Sequence, residues 1–147
     1  MEMGSTYHQM NYHLVFSTKS RIRIIGAEWK EQLHAYLGGT VRGLDGIATA
    51  VGGVSEHVHI LVSLTPSHRV ADFMRELKKA TSVWASGFDR RFSWQEGYSV
   101  FAVGMDATGK VREYIEQQES HHHVMTYIEE LQRLFKENKI PYDPKYL

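Results

Sequence analysis

Two histidines separated by one residue, His57-Val58-His59, open the chemical reading of this chain. On a β-strand, residues two apart leave the same face of the sheet, so both imidazoles could reach one metal ion. Val58 between them points into the opposite layer and anchors the strand by burial. The same pattern also suits two ordinary polar-face histidines making hydrogen bonds. Two imidazoles alone leave a metal site incomplete, so a third donor must come from elsewhere.

Downstream, Val111, Tyr114, Ile115 and Gln118 fall at i, i+3, i+4 and i+7, a single helical face. A stripe of that kind normally carries aliphatic residues, but here it carries a phenol and an amide. The phenol is a possible oxygen nucleophile, and the amide carbonyl is a possible ligand for a hard cation. On spacing alone, both suit the stripe edge with their polar tips in water. Taken together, His57, His59, Gln118 and Tyr114 would make a phosphoryl-transfer site. A tyrosine with its ordinary pKa near ~10 attacks a phosphodiester only when a nearby cation favours the phenolate. A divalent metal on His57, His59 and Gln118 would supply that cation and neutralise a phosphate oxygen. Attack by Tyr114 would leave a 5′-phosphotyrosine and a free 3′-hydroxyl, and rejoining would need no ATP. In agreement, no phosphate-binding glycine-rich loop is present: Gly38-Gly39 and Gly52-Gly53 lack the spacing, and no nucleotide cofactor is expected.

The elements that must position these residues follow from periodicity. Residues 11–18 read as a strand, and 27–44 as a helix with Trp29, Leu33, Leu37, Val41 and Leu44 inward. A weak strand at 47–52 is followed by Gly52-Gly53, which permits a tight turn into a strong strand at 54–64. There Val54, Val58, Ile60, Val62 and Leu64 take one face, and His57, His59, Leu61 and Ser63 the other, with Glu56 breaking the apolar set at its start. Arg69 to about Ala85 is an amphipathic helix, and Tyr98 to Val103 a further strand. Asp106 is expected to cap a helix reaching about Gln118, and a last helix covers roughly 121–137 before a Pro- and Tyr-containing tail. This order predicts an α+β fold, a ferredoxin-like sandwich with an antiparallel sheet, flanking helices and a C-terminal helix carrying the tyrosine. With 147 residues, one domain over 1–147 is expected.

Composition sets the remaining bounds. The apolar fraction of 42% supplies a core, and no run of about 18 apolar residues or leader-like segment is seen, so no membrane span is expected. Cysteine is absent, which removes thiolate chemistry and fits a reducing cytoplasm. Seventeen basic and seventeen acidic residues cancel, an unusual balance for a protein that grips nucleic acid. Candidate phosphate contacts are Arg21 and Arg23 near the first strand, and Arg75, Lys78 and Lys79 on the helix after Pro66. Each also suits an ordinary solvated surface. Trp94 and Tyr98 could stack on bases or pack in the core, His13 could join the sheet-face site or be structural, and His121-His122-His123 reads as a solvated helix start.

The segments YHLVFSTKSR at 12–21, EHVHILVSL at 56–64, WQEGYSVFAVG at 94–104, VREYIEQQESHH at 111–122 and the ending IPYDPKYL resemble the single-tyrosine HUH transposases of the insertion-sequence-200-like group, nearly end to end. The resemblance implies that His57, His59 and Gln118 hold Mg²⁺ or Mn²⁺ and that Tyr114 is the nucleophile. It further implies single-stranded DNA with hairpins as substrate, and a homodimer whose sites are completed in trans by the partner's tyrosine helix. A domesticated enzyme processing repeat hairpins, a metal-dependent phosphoesterase in which water attacks, and a binding module with a vestigial site are the alternatives.

Overall fold

A computed structural model describes residues 6–118 and 125–147. Four strands form one antiparallel sheet: β1 (Met10–Ser17), β2 (Ile47–Gly53), β3 (His57–Leu64) and β4 (Ser99–Val103), in the order β2-β3-β1-β4. Helices α1 (Lys30–Gly43) and α2 (Val70–Ala85) link β1 to β2 and β3 to β4. Helices α3 (Thr108–Glu116) and α4 (Tyr127–Glu137) follow β4. This is the α+β sandwich expected from the element order.

Period-two alternation divides the sheet cleanly. Leu14, Phe16, Val58, Ile60, Val62 and Leu64 share one core with Leu33, Leu37 and Val41 of α1 and with Phe73, Met74 and Leu77 of α2. On the other face, Val15 and Phe101 pack against Tyr127, Leu131, Leu134 and Phe135 of α4, and Ala50, Leu61 and Val103 pack under Ile115 of α3. Both faces of the sheet are thus covered, and β3 is buried along almost its whole length. Its two histidines lie under α3 and α4.

Several local expectations differ from what is found. Strand β3 begins at His57, and the tight connection is 54–56, closed by the Val54 amide on the His57 carbonyl at 3.1 Å. Gly52 and Gly53 lie inside β2, paired with His59 and Val58. Asp106 does not cap α3: it sits in a 3-10 turn, Met105–Ala107, and the position before the helix is Ala107, whose side chain has no acceptor. The last helix starts at Tyr127, where Thr126 and Glu129 form a reciprocal capping box. The part of that expected helix at 121–124, with His121-His122-His123, lies outside the described residues. β1 is interior, hydrogen-bonded to both β3 and β4.

Gly52 has a different task from the expected turn. A Cβ there would fall well inside contact with the carbonyl oxygen of Ile115, so the missing side chain lets α3 lie flush on β2. Because the obstruction is backbone, Gly52→Ala is expected to cost about 1–3 kcal/mol by overpacking. Since α3 also carries Tyr114, the variant should lose activity out of proportion to its lowered melting temperature. Thermal melts beside a strand-cleavage assay check this.

Candidate metal and nucleophile site

His57 and His59 are 1% and 0% exposed, so their ring nitrogens must be satisfied from within. His57 Nδ1 lies 2.9 Å from Glu56 Oε1, and His59 Nδ1 lies 2.7 Å from His13 Nε2. Glu56 is itself buried and meets Arg23 Nε at 3.3 Å through its other oxygen. With each Nδ1 engaged by Glu56 or His13, the two Nε2 atoms turn to one shared partner, and these outer contacts fix how both rings are oriented.

That shared partner is Glu130 of α4. Its Oε1 is 3.1 Å from His57 Nε2 and 3.1 Å from His59 Nε2. Among the described residues, His57, His59 and Glu130 form a group whose ligand atoms all lie within 4.8 Å of one another. Gln118 joins them: its Oε1 accepts from His57 Nε2 at 3.2 Å, and its Nε2 donates to Glu130 Oε2 at 3.2 Å. The hydroxyl of Tyr114 donates to the same Oε2. One carboxylate therefore touches both histidines, the amide and the phenol. Two imidazole nitrogens, a carboxylate and an amide oxygen suit a divalent cation.

Electrostatics follow from this crowding. Burial would lower the pKa of His57, but the hydrogen bonds and charges of Glu130 and Glu56 outweigh it and raise it from 6.5 to about 9. Burial and the neighbouring His59 push His13 well below its ordinary value, so it stays neutral. Burial would raise Glu130, yet its hydrogen bonds with His57 and His59 hold it well below the usual carboxylate range. Burial, with the charge of Glu130, pushes the Tyr114 phenol above its ordinary value. For His57 the folded value exceeds the unfolded one, so its stabilisation is complete below pH 6.5 and is lost as pH rises through about 9. The metal-free protein should therefore melt progressively lower across that window, and His57→Gln should flatten the profile. Melting curves in chelator over that range check it.

Residues 6–118 match the family model described as "Transposase IS200 like". The chain belongs to the IS200-like transposase family. Within it, the chain is 27% identical over 134 residues to the ISDra2 transposase TnpA of Deinococcus radiodurans, covering 80% of this chain and 91% of that one. A 1.90 Å crystal structure of a Deinococcus radiodurans R1 protein assigned to the transposases superposes with a TM-score of 0.65 at 25% identity, covering 80% and 98% of the two chains. A REP-associated tyrosine transposase bound to a REP hairpin shares the fold, with a TM-score of 0.57 at 18% identity over 78% of this chain and 70% of that one. Family membership supports a DNA-cleaving and strand-transferring activity.

In this transposase-family chain, four expected site residues (His57, His59, Tyr114 and Gln118) come together. They do so within one chain, where Gly104 and a single 3-10 turn separate β4 from α3 and Gly52 lets α3 lie close on β2. Arg21 and Arg23 line a cavity of about 190 Å³ with Glu56 and Tyr127, beside the histidine strand. Arg75, Lys78 and Lys79 are on α2, in the layer across the sheet from the histidines. Arg75 pairs with Asp72 at 3.1 Å, and the Lys78 ammonium binds the carbonyls of Glu96 and Gly97, each at 2.9 Å. Trp94 is core, donating to Thr81 at 2.9 Å, while Tyr98 is partly exposed under Lys78. Glu130 was not among the expected residues, and it lies beyond the family-matched segment. Its signal was available: Tyr127, Glu130, Leu131 and Leu134 form an i, i+3, i+4, i+7 stripe in which an acid interrupts apolar residues. No helix among the described residues is long and apolar enough to cross a membrane.

Proposed function

We propose that the chain cleaves and rejoins single-stranded DNA at hairpin-marked ends, with Tyr114 as nucleophile and a divalent metal, Mg²⁺ or Mn²⁺, held by His57, His59, Gln118 and Glu130. The observation that carries this reading is the convergence of the Tyr114 hydroxyl and the two histidine Nε2 atoms on one carboxylate. When bound, the metal would draw charge from a non-bridging phosphate oxygen and favour the phenolate. Tyr114 Oη forms a bond to phosphorus as the bond to the 3′ oxygen breaks, leaving a 5′-phosphotyrosine. The phenolic proton passes along its hydrogen bond to Glu130 Oε2, which holds it only in transit because its carboxyl lies well below the usual range, and on to the departing 3′ oxygen, which becomes the 3′-hydroxyl. The 3′-hydroxyl product can reverse the step on a new strand, because the phosphoester is conserved. Glu56 and His13 keep both ligand rings oriented throughout.

The test uses end-labelled single-stranded hairpin DNA with Mn²⁺. A protein-linked band that survives denaturing electrophoresis and disappears with EDTA is expected; its absence from wild-type protein overturns the proposal. The same assay decides whether sites act within one chain. Mixing Tyr114→Phe with His59→Ala protein should restore no adduct if each tyrosine serves its own histidines. Restoration would establish the trans arrangement of a homodimer, since an intact histidine pair could then meet an intact tyrosine from its partner.

A further inference from the structure

Acids and bases cancel in this chain, the metal-ligand cluster is buried, and three of the five expected phosphate contacts lie across the sheet. A strand of DNA must nevertheless be held beside Tyr114. A cleft of about 190 Å³ opens there between α3 and α4. Lys110, one turn before Tyr114, stands on its α3 side, and Arg133, three residues after Glu130, on its α4 side. The guanidinium carbon of Arg133 is 5.3 Å from the centroid of the Tyr114 ring. Val111 and Leu134 leave an apolar wall between the two cations, and His13 and Glu137 also line the cleft.

We propose that this cleft binds the phosphodiester backbone of the single strand flanking the bond that Tyr114 attacks, with Lys110 and Arg133 as its phosphate contacts. The inference rests on the reading of Tyr114 as nucleophile. Its own support is geometric. A guanidinium presents a planar fork of donors that matches two phosphate oxygens, and Lys110 adds a second, mobile point charge. Arg133 now pairs through Nε with Glu137 Oε1 at 3.5 Å, with the two side chains 39% and 59% exposed. The Arg133 Nε is buried and makes no hydrogen bond at that separation, and Glu137 is largely exposed, so a phosphate can displace the carboxylate. The apolar wall between the cations suits the sugar and base edges of a nucleotide better than it suits a free small anion. Placement thus replaces quantity: a chain with no excess of basic residues sets two of them on either side of its nucleophile.

The experiment measures binding of fluorescent oligodeoxythymidine to the full Mn²⁺-loaded chain by anisotropy, as a function of salt. Each phosphate contact on a single strand contributes about 0.7 to the slope of log affinity against log salt. Lys110→Gln and Arg133→Gln should each reduce the slope by about that amount, and the double variant by about twice it. Arg133→Lys, which keeps the charge, should retain the slope. Arg112→Gln, on an exposed position of α3 where Arg112 pairs with Glu116 at 3.7 Å, should leave it unchanged. Equal slopes for wild type and a folded double variant overturn the proposal, as does an equal fall in Arg112→Gln. The adduct assay on wild-type protein separates the two claims. An adduct with unchanged slopes removes the cleft and keeps the nucleophile, whereas altered slopes with no adduct keep the cleft and remove the nucleophile.

Discussion

Tyr114→Phe is expected to abolish the covalent protein–DNA species and to lower strand cleavage on the order of 10³-fold or more, as loss of a nucleophile does. The substitution removes one oxygen and retains the ring. Its edge contacts with His59 at 5.7 Å and His13 at 6.1 Å, and the Arg133 guanidinium over its face, do not depend on the hydroxyl. Glu130 Oε2 keeps the Gln118 amide as donor, so no buried charge is left bare. The variant should fold and bind Mn²⁺ as wild type does while forming no adduct. If cleavage continued without an adduct, water would be the attacking group and the protein a phosphoesterase. A persisting adduct would move the nucleophile to another residue.

His59→Ala should be nearly as damaging, by a different route. His59 is fully buried between His13 and Glu130, so its removal deletes a proposed ligand and strips two buried groups of a partner. Loss of a mere outer-shell partner costs about 10–100-fold in metal affinity, and loss of a ligand should exceed that. Mn²⁺ binding followed by electron paramagnetic resonance, with cleavage measured alongside, is the check. Part of the effect will be structural, and a lowered melting temperature in the metal-free protein should accompany it. His13→Gln offers the milder comparison, weakening metal binding while leaving all ligands in place. Unchanged Mn²⁺ affinity in His59→Ala would place the metal elsewhere in the molecule.

The histidine strand was legible in the sequence because alternation along one strand depends on neighbours alone. Val58, Ile60 and Val62 declared one face, and the histidines followed on the other. The helical stripe Tyr114, Ile115, Gln118 was legible for the same reason, and both halves of the α+β sandwich came from such local periods. Contacts between elements were not. Glu130 reaches His59 across 71 positions of the chain, and only the docking of α4 on the β1–β4 side of the sheet brings it there. Its presence changes the chemistry expected of the site, since a carboxylate joins what had read as two imidazoles and an amide. Gly52-Gly53 suggested a turn because glycine pairs often form one. Here a close backbone approach, invisible in one dimension, explains the first of them. Arg75, Lys78 and Lys79 formed a basic run, but the sheet that separates α2 from the histidine face was needed to locate them.

Joining of Tyr114 to the 5′ side of a cut single strand, beside a metal that the histidine pair would hold, is the step on which the proposed function depends. It is tested most directly by trapping the adduct with Mn²⁺ and hairpin DNA, trimming the DNA with nuclease, and sequencing the modified peptide by mass spectrometry. A phosphonucleotide on Tyr114 is expected, in the peptide spanning VREYIEQQ. A nucleotide on any other residue, or cut DNA bearing a free 5′-phosphate with unmodified Tyr114 throughout the reaction, would contradict it.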